Sequence, residues 1–167
     1  TVSERWTQEK YGSKYKQWAY TEVDPVLYLE ENIRDAGSDL LDIRVFVCSG
    51  MVTTILASTG VHTDKQLDAI FDANGHRLDT AALVFKTLVK RPRLPAGFSL
   101  PVPPEIICHH SLKIANGSDH LRIDLMWNGS ELYFSEITVY PRGGYMLFSD
   151  QRLFNHLGDT WDLRDSW

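Results

Sequence analysis

The sequence predicts an α+β fold, a largely antiparallel sheet with helices packed on it. Three observations carry that expectation. Two alternating runs, residues 121–127 and 131–139, flank Asn128-Gly129, a strong short-range hairpin signal. Two further β-rich runs, residues 41–48 and 51–58, flank Ser49-Gly50. Between these hairpins Pro103-Pro104-Glu105 opens a helix where proline is well tolerated, and Asn116-Gly117 closes it.

With 167 residues, the chain fits one domain, residues 1–167, with a sizeable core. Its apolar fraction of 43% and charged fraction of 23% are those of a globular protein rather than a disordered one. The net charge of −5 argues against a nucleic-acid surface, which needs a basic field. No apolar run approaches the roughly 20 residues that span a bilayer, so no transmembrane segment is expected. Only Cys48 and Cys108 are present, which is no disulfide framework and suits a reducing, cytoplasmic compartment. No signal peptide is visible, and a start at Thr1 without a methionine points to a missing upstream segment.

In chain order, residues 4–20 are polar and aromatic, spaced loosely for a helix or an irregular packed segment, with Lys14 and Lys16 solvated. Pro25 opens the apolar run Val26-Leu27-Tyr28-Leu29, which reads as a buried strand leaving into Glu30-Glu31-Asn32-Ile33. Residues 36–39 form a turn before the first hairpin, where an exposed cross-strand ion pair is one reading of Asp42 and Arg44. Residues 60–77 are polar and without a clear period, and residues 80–88 suit either strand or helix. Lys86, Lys90, Arg91 and Arg93 form a basic cluster, read as a solvated loop or as a contact for an anionic polymer. The helix over 104–115 should pack Ile106, Ile107, Leu112 and Ile114 against the sheet. Its His109 and His110 project about 100° apart and make no metal pair by themselves. Past Gly144, Tyr145–Phe148 precede a short helix over 151–157, with Trp161 and Trp167 as closing hydrophobes. The sequons at Asn116 and Asn128 read as turns.

In the second hairpin Leu121, Ile123, Leu125 and Trp127 share one parity with Tyr133, Ile137 and Val139, and these odd faces should both be buried. Odd faces odd only if paired indices sum to an even number. This predicts a three-residue loop with Gly129 in the left-handed position. Asp124 and Glu136 then share the other face with Arg122 and Thr138. Two carboxylates and an arginine on one sheet face are costly unless paired. A surface salt bridge answers that cost, and so does a divalent cation bridging the acids with Arg122 turned to an anion. Acids are depleted in strand interiors, and the following Pro-Arg-Gly-Gly turn could offer backbone amides to a phosphate, both of which favour the cation.

Arg122-Ile-Asp-Leu125 followed by Tyr133-Phe-Ser-Glu-Ile-Thr-Val-Tyr-Pro-Arg-Gly-Gly144 resembles the metal-binding end of the ATP-grasp superfamily, in its teichuronopeptide-biosynthesis (TupA-like) branch. The resemblance implies the C-terminal part of an ATP-grasp fold. It implies that Asp124 and Glu136 hold Mg²⁺ on the phosphates of ATP, and that Arg122 faces the γ-phosphate or acyl-phosphate region. Ser135 stands where the branch usually has Gly; Thr138 is usual for the branch, where most ATP-grasp enzymes have Asn. By the same resemblance Leu29, Glu30, Glu31 and Ile33 are candidates for the purine site and Asp42 for the ribose hydroxyls. Arg44 is assigned to a phosphate or a substrate carboxylate, and His62, Asp64 and Lys65 to the substrate side. The implied activity is part of an ATP- and Mg²⁺-dependent carboxylate–amine ligase, acting in cell-surface polymer or peptide-conjugate biosynthesis. A complete enzyme also carries an N-terminal lobe with lysines and a glycine-rich loop, for which the residues before Val26 are too few. That lobe is expected upstream or on another chain, or else catalysis is lost and the domain is a noncatalytic binding module for an anionic saccharide or peptide. A structural or interaction module, with the acids as surface decoration, is the third class.

Overall fold

The computed structural model describes residues 23–33, 40–78, 83–84, 92–139, 141, 147–148, 155 and 157–161. The expectations for residues 4–20 and 36–39, for Lys86, Lys90 and Arg91, for Arg142 to Gly144 and for Trp167 lie outside the described residues.

Five antiparallel strands make the main sheet: β1 (Leu41–Cys48), β2 (Met51–Thr59), β3 (Leu67–Phe71), β5 (His120–Trp127) and β6 (Leu132–Thr138), in the order β3-β2-β1-β5-β6. One helix, α1 (Pro104–Ala115), connects the two halves of that sheet, and β4 (Leu83–Val84) pairs separately with β7 (Leu147–Phe148). This is the predicted α+β architecture. The β1–β2 turn places both Ser49 (φ 48°) and Gly50 (φ 77°) in the left-handed region. Positive φ at both central residues is the two-residue geometry whose twist matches the flanking strands. β3 was not anticipated. Leu67, Ala69 and Phe71 alternate inward, but Asp68 breaks the apolar run and Gly60–Lys65 hides its start.

The odd-numbered face of the sheet holds the core: Ile43, Val45 and Val47 of β1, Ile55 and Ala57 of β2, and Leu121, Ile123 and Leu125 of β5, covered by α1. The helix runs over the predicted span, with Asn116 closing it in the left-handed conformation. It buries Ile107, Ser111 and Ala115, with Cys108 and Ile114 partly covered, while Ile106 and Leu112 are exposed. That corrects the predicted face. At 100° per residue, positions 107, 111 and 115 form one stripe, and 106 and 112 fall to either side of it.

The second hairpin also departs from expectation. Its loop spans Asn128 to Glu131, four residues rather than three, and near it Leu125, Met126 and Trp127 pair with Phe134, Tyr133 and Leu132, an odd index sum. Beyond Ser135 the register shifts, so that Asp124 faces Glu136, Ile123 faces Ile137 and Arg122 faces Thr138, an even sum. The even register at the acids thus comes from a β-bulge at Ser135 rather than from loop length. Gly129 has φ 108°, as a loop glycine should, but Asn128 fixes the turn. Its Oδ1 accepts the N–H groups of Ser130 (3.0 Å) and Glu131 (2.8 Å). Because of the bulge, Leu132 packs toward the core and Tyr133 lies on the opposite face. Ile137, expected under the helix, is 42% exposed, and Val139 is exposed too. Ile137 belongs to the edge strand and Val139 follows it, whereas α1 covers β1, β2 and β5.

Residues 24–33 adopt no regular secondary structure, and Val26, Leu27, Tyr28 and Leu29 face solvent, Leu29 at 98%. The expected buried strand is therefore absent. The segment is not among the five strands of the described sheet, whose edges are β3 and β6.

Candidate functional site

The face opposite α1 carries the polar residues. Facing residues of an antiparallel pair project to the same side. The ladders β1–β5 and β5–β6 therefore line up Arg44, Asp124 and Glu136 in one row across three strands. The next row is Phe46, Arg122 and Thr138. On the other side lie Ser58, Asp42 and Met126.

Arg122 closes the centre of this arrangement. Its Nε donates to Asp124 Oδ1 at 2.6 Å and its Nη2 to Asp124 Oδ2 at 2.6 Å, a two-pronged contact that also reaches Glu136 Oε1 at 3.0 Å. Thr138 Oγ1 donates to the same Glu136 oxygen at 2.8 Å. Arg44 approaches Asp124 Oδ2 with Nε at 3.7 Å and Asp42 Oδ1 with Nη2 at 3.6 Å, and donates to Ser58 Oγ at 3.3 Å. The two acids differ in access: the Asp124 side chain is 8% exposed and that of Glu136 60%. Burial pushes the Asp124 carboxyl above its ordinary range, with Arg122 and Arg44 pulling it back and Glu136 adding to the rise. Asp42 is raised for the same first reason, against Arg44, His62 and Arg122. His62 is thereby placed near Asp42, in an exposed loop that also holds Asp64 and Lys65.

Of the residues singled out in the sequence, the structure thus gathers Asp42, Arg44, Arg122, Asp124, Glu136 and Thr138. Leu29, Glu30 and Glu31 are exposed and are not brought against these acids by any described contact; Ile33 is half-buried, and its carbonyl accepts from Asn128 Nδ2 at 3.2 Å. Ser58 and the bulge at Ser135 escaped the sequence reading. A hydroxyl in a β-rich run carries no signal until the register sets it beside Arg44, and a bulge leaves no mark in alternation that both registers satisfy.

The donor set suits a hard cation. Two carboxylates and a hydroxyl are oxygen ligands, and Mg²⁺ is commonly held by one or two carboxylates with water and phosphate completing its shell. A guanidinium already bridges both acids, so the position tolerates positive charge. Among the described residues no group of three or more His, Cys, Asp or Glu side chains is arranged around a metal. The site therefore offers a pair of carboxylate ligands rather than a closed cage.

No helix among the described residues is long and apolar enough to cross a membrane. A protein-family model described as TupA-like ATPgrasp matches residues 2–162. Comparisons with curated proteins and with solved structures give no match.

Proposed function

This chain belongs to the TupA-like ATP-grasp family, and we propose that it forms the metal- and phosphate-handling part of an ATP- and Mg²⁺-dependent carboxylate–amine ligase. The observation that carries this reading is the convergence of Asp124, Glu136, Arg122 and Arg44 on one sheet face. In the proposed reaction a substrate carboxylate oxygen attacks the γ-phosphorus of ATP and ADP leaves. An amine then attacks the acyl carbon, and phosphate departs with the C–O electron pair. Asp124 and Glu136 hold the ion, and Mg²⁺ when bound would neutralise the charge that builds on the phosphoryl oxygens. Arg122 and Arg44 present guanidinium forks to the transferred phosphoryl group or the substrate carboxylate, a geometry that arginine matches with two parallel hydrogen bonds. Asp42 meets the ribose hydroxyls, and Leu29, Glu30, Glu31 and Ile33 the purine. An N-terminal lobe, upstream or on another chain, supplies the remaining phosphate contacts. The substrates belong to cell-surface polymer or peptide-conjugate synthesis, carried out in the cytoplasm where ATP is available.

The closure of both acids by Arg122 favours a second reading, a noncatalytic binding module for an anionic saccharide or peptide. Calorimetric titration with ATP, with and without Mg²⁺, separates the two. On the ligase reading Asp124→Asn and Glu136→Gln each weaken Mg²⁺-dependent nucleotide binding about ten- to a hundredfold, the worth of one charged contact. ATP binding indifferent to Mg²⁺ and to both substitutions rejects the ligase reading, and retention of an anionic polysaccharide then supports the second.

A further inference from the structure

Building on the reading of Asp124 and Glu136 as cation ligands, we propose that Arg122 is a built-in competitor for that cation, displaced onto the incoming anion when the metal binds. Both oxygens of Asp124 are engaged by the Arg122 fork, at 2.6 Å each, and the same Nη2 reaches Glu136 Oε1 at 3.0 Å. The guanidinium therefore sits between the two carboxylates, where a bridging cation would have to lie. A divalent ion and a guanidinium in one partly buried space repel each other, so Asp124 binds each less well in the presence of the other.

The consequence follows from what Arg122 must exchange. Its charge is permanent, and leaving Asp124 costs two charge-assisted hydrogen bonds. A cation arriving alone leaves the half-buried guanidinium without a replacement for them. A cation arriving with a phosphate gives the fork a new pair of oxygens of matching geometry. Cation and anion thus raise each other's affinity by the same factor, and Arg122 is the element through which they are coupled. Glu136, largely exposed and with Oε2 outside the described hydrogen bonds, is the first foothold for the ion. A guanidinium that only neutralised two acids would not couple the ligands: removing it would favour a lone cation through lost repulsion but leave the tightening that ATP confers unchanged.

Titration calorimetry of the whole chain with Mg²⁺ alone, and with Mg²⁺ in the presence of ATP, distinguishes the cases. Arg122→Gln should bind Mg²⁺ alone about tenfold or more tighter than the wild type, because the competing fork is gone. It should also lose most of the tightening that ATP confers. Arg122→Lys keeps the charge and protects the fold but cannot fork, and should fall between the two. Adding Asp124→Asn to either variant should cancel the gain. If both Arg122 variants melt near the wild type and bind Mg²⁺ alone no more tightly, the competition is refuted. Should Asp124→Asn still abolish Mg²⁺-dependent ATP binding in that case, the ligand assignment stands and only the coupling falls. If Asp124→Asn changes nothing in any background, both fall together.

Discussion

Histidine 120 shows how much a single side chain's surroundings decide. It stands opposite Cys48 in the β1–β5 ladder, with its ring stacked on Trp161 at 4.6 Å between centroids. Its Nδ1 lies 3.3 Å from the Val139 carbonyl, which can only accept, so that nitrogen carries the proton in the neutral ring. The Trp161 indole donates to Asp119 Oδ2 at 3.1 Å, which fastens this end of the chain to the start of β5. Burial holds the imidazole below its ordinary value of 6.5, with the Val139 bond and Asp119 opposing. An unfolded chain therefore takes up this proton at a higher pH than the folded one. The stability contributed by the neutral ring is present above 6.5 and is lost as pH falls through and below that value. Melting temperatures should decline on acidification across this window, and His120→Asn should flatten the decline. An unchanged slope in the variant would place the titration elsewhere.

At the scale of elements, the β5–β6 hairpin is organised by one buried asparagine and one extra residue. Asn128 Oδ1 gathers the N–H groups of Ser130 and Glu131 and the Ser130 hydroxyl, while Nδ2 reaches the carbonyl of Ile33. Asn128→Ala should therefore cost about 0.5–1.5 kcal/mol, since it removes the acceptor around which the loop closes. Asn128→Asp keeps the acceptor and loses the donor, so it should spare the loop and loosen the segment before Ile33. Denaturant midpoints measure the first effect, and the rate of proteolysis within residues 23–33 the second. Equal losses for both variants would show that the loop does not depend on the Oδ1 acceptor. The bulge at Ser135 matters differently. It allows Phe134 to face Leu125 while Glu136 faces Asp124. A straight ladder continued from the loop would have paired Glu136 with Ile123, on the helix side.

Across the whole molecule, burial falls from the centre of the sheet to its β6 edge. Ile123 is fully buried between β1 and β6 and beneath α1, whereas its partner Ile137 is 42% exposed. Ile123→Ala should cost roughly 2–5 kcal/mol, the range for emptying a core position, and Ile137→Ala clearly less. Comparable shifts in denaturant midpoint for the two would mean that the edge is covered in solution. The polar face follows the same gradient. Asp124 lies deep on the central strand and Glu136 on the accessible edge, so solvent reaches one acid far more than the other.

Local chemistry alone determined a good deal. Alternation and turn residues placed both hairpins, and prolines with Asn116-Gly117 bounded α1. The motif around Asp124 and Glu136 identified the family, and their shared face was expected, but it is the bulge at Ser135, which parity did not reveal, that puts them there. The hairpins, the helix bounds and the motif depend on neighbours in sequence, where period and capping act. The tertiary structure decided what depends on neighbours in space. Residues 26–29 are apolar enough for a buried strand, yet they join neither described sheet and lie exposed, which their local pattern does not record. Which helix residues point inward was fixed by the sheet beneath them. The partners of Arg44 and Arg122 were fixed by register: Asp124 lies 80 positions from Arg44, and only the β1–β5 ladder brings the two together. Alternation tells which side of a strand a residue faces, but only pairing between strands tells what it meets there.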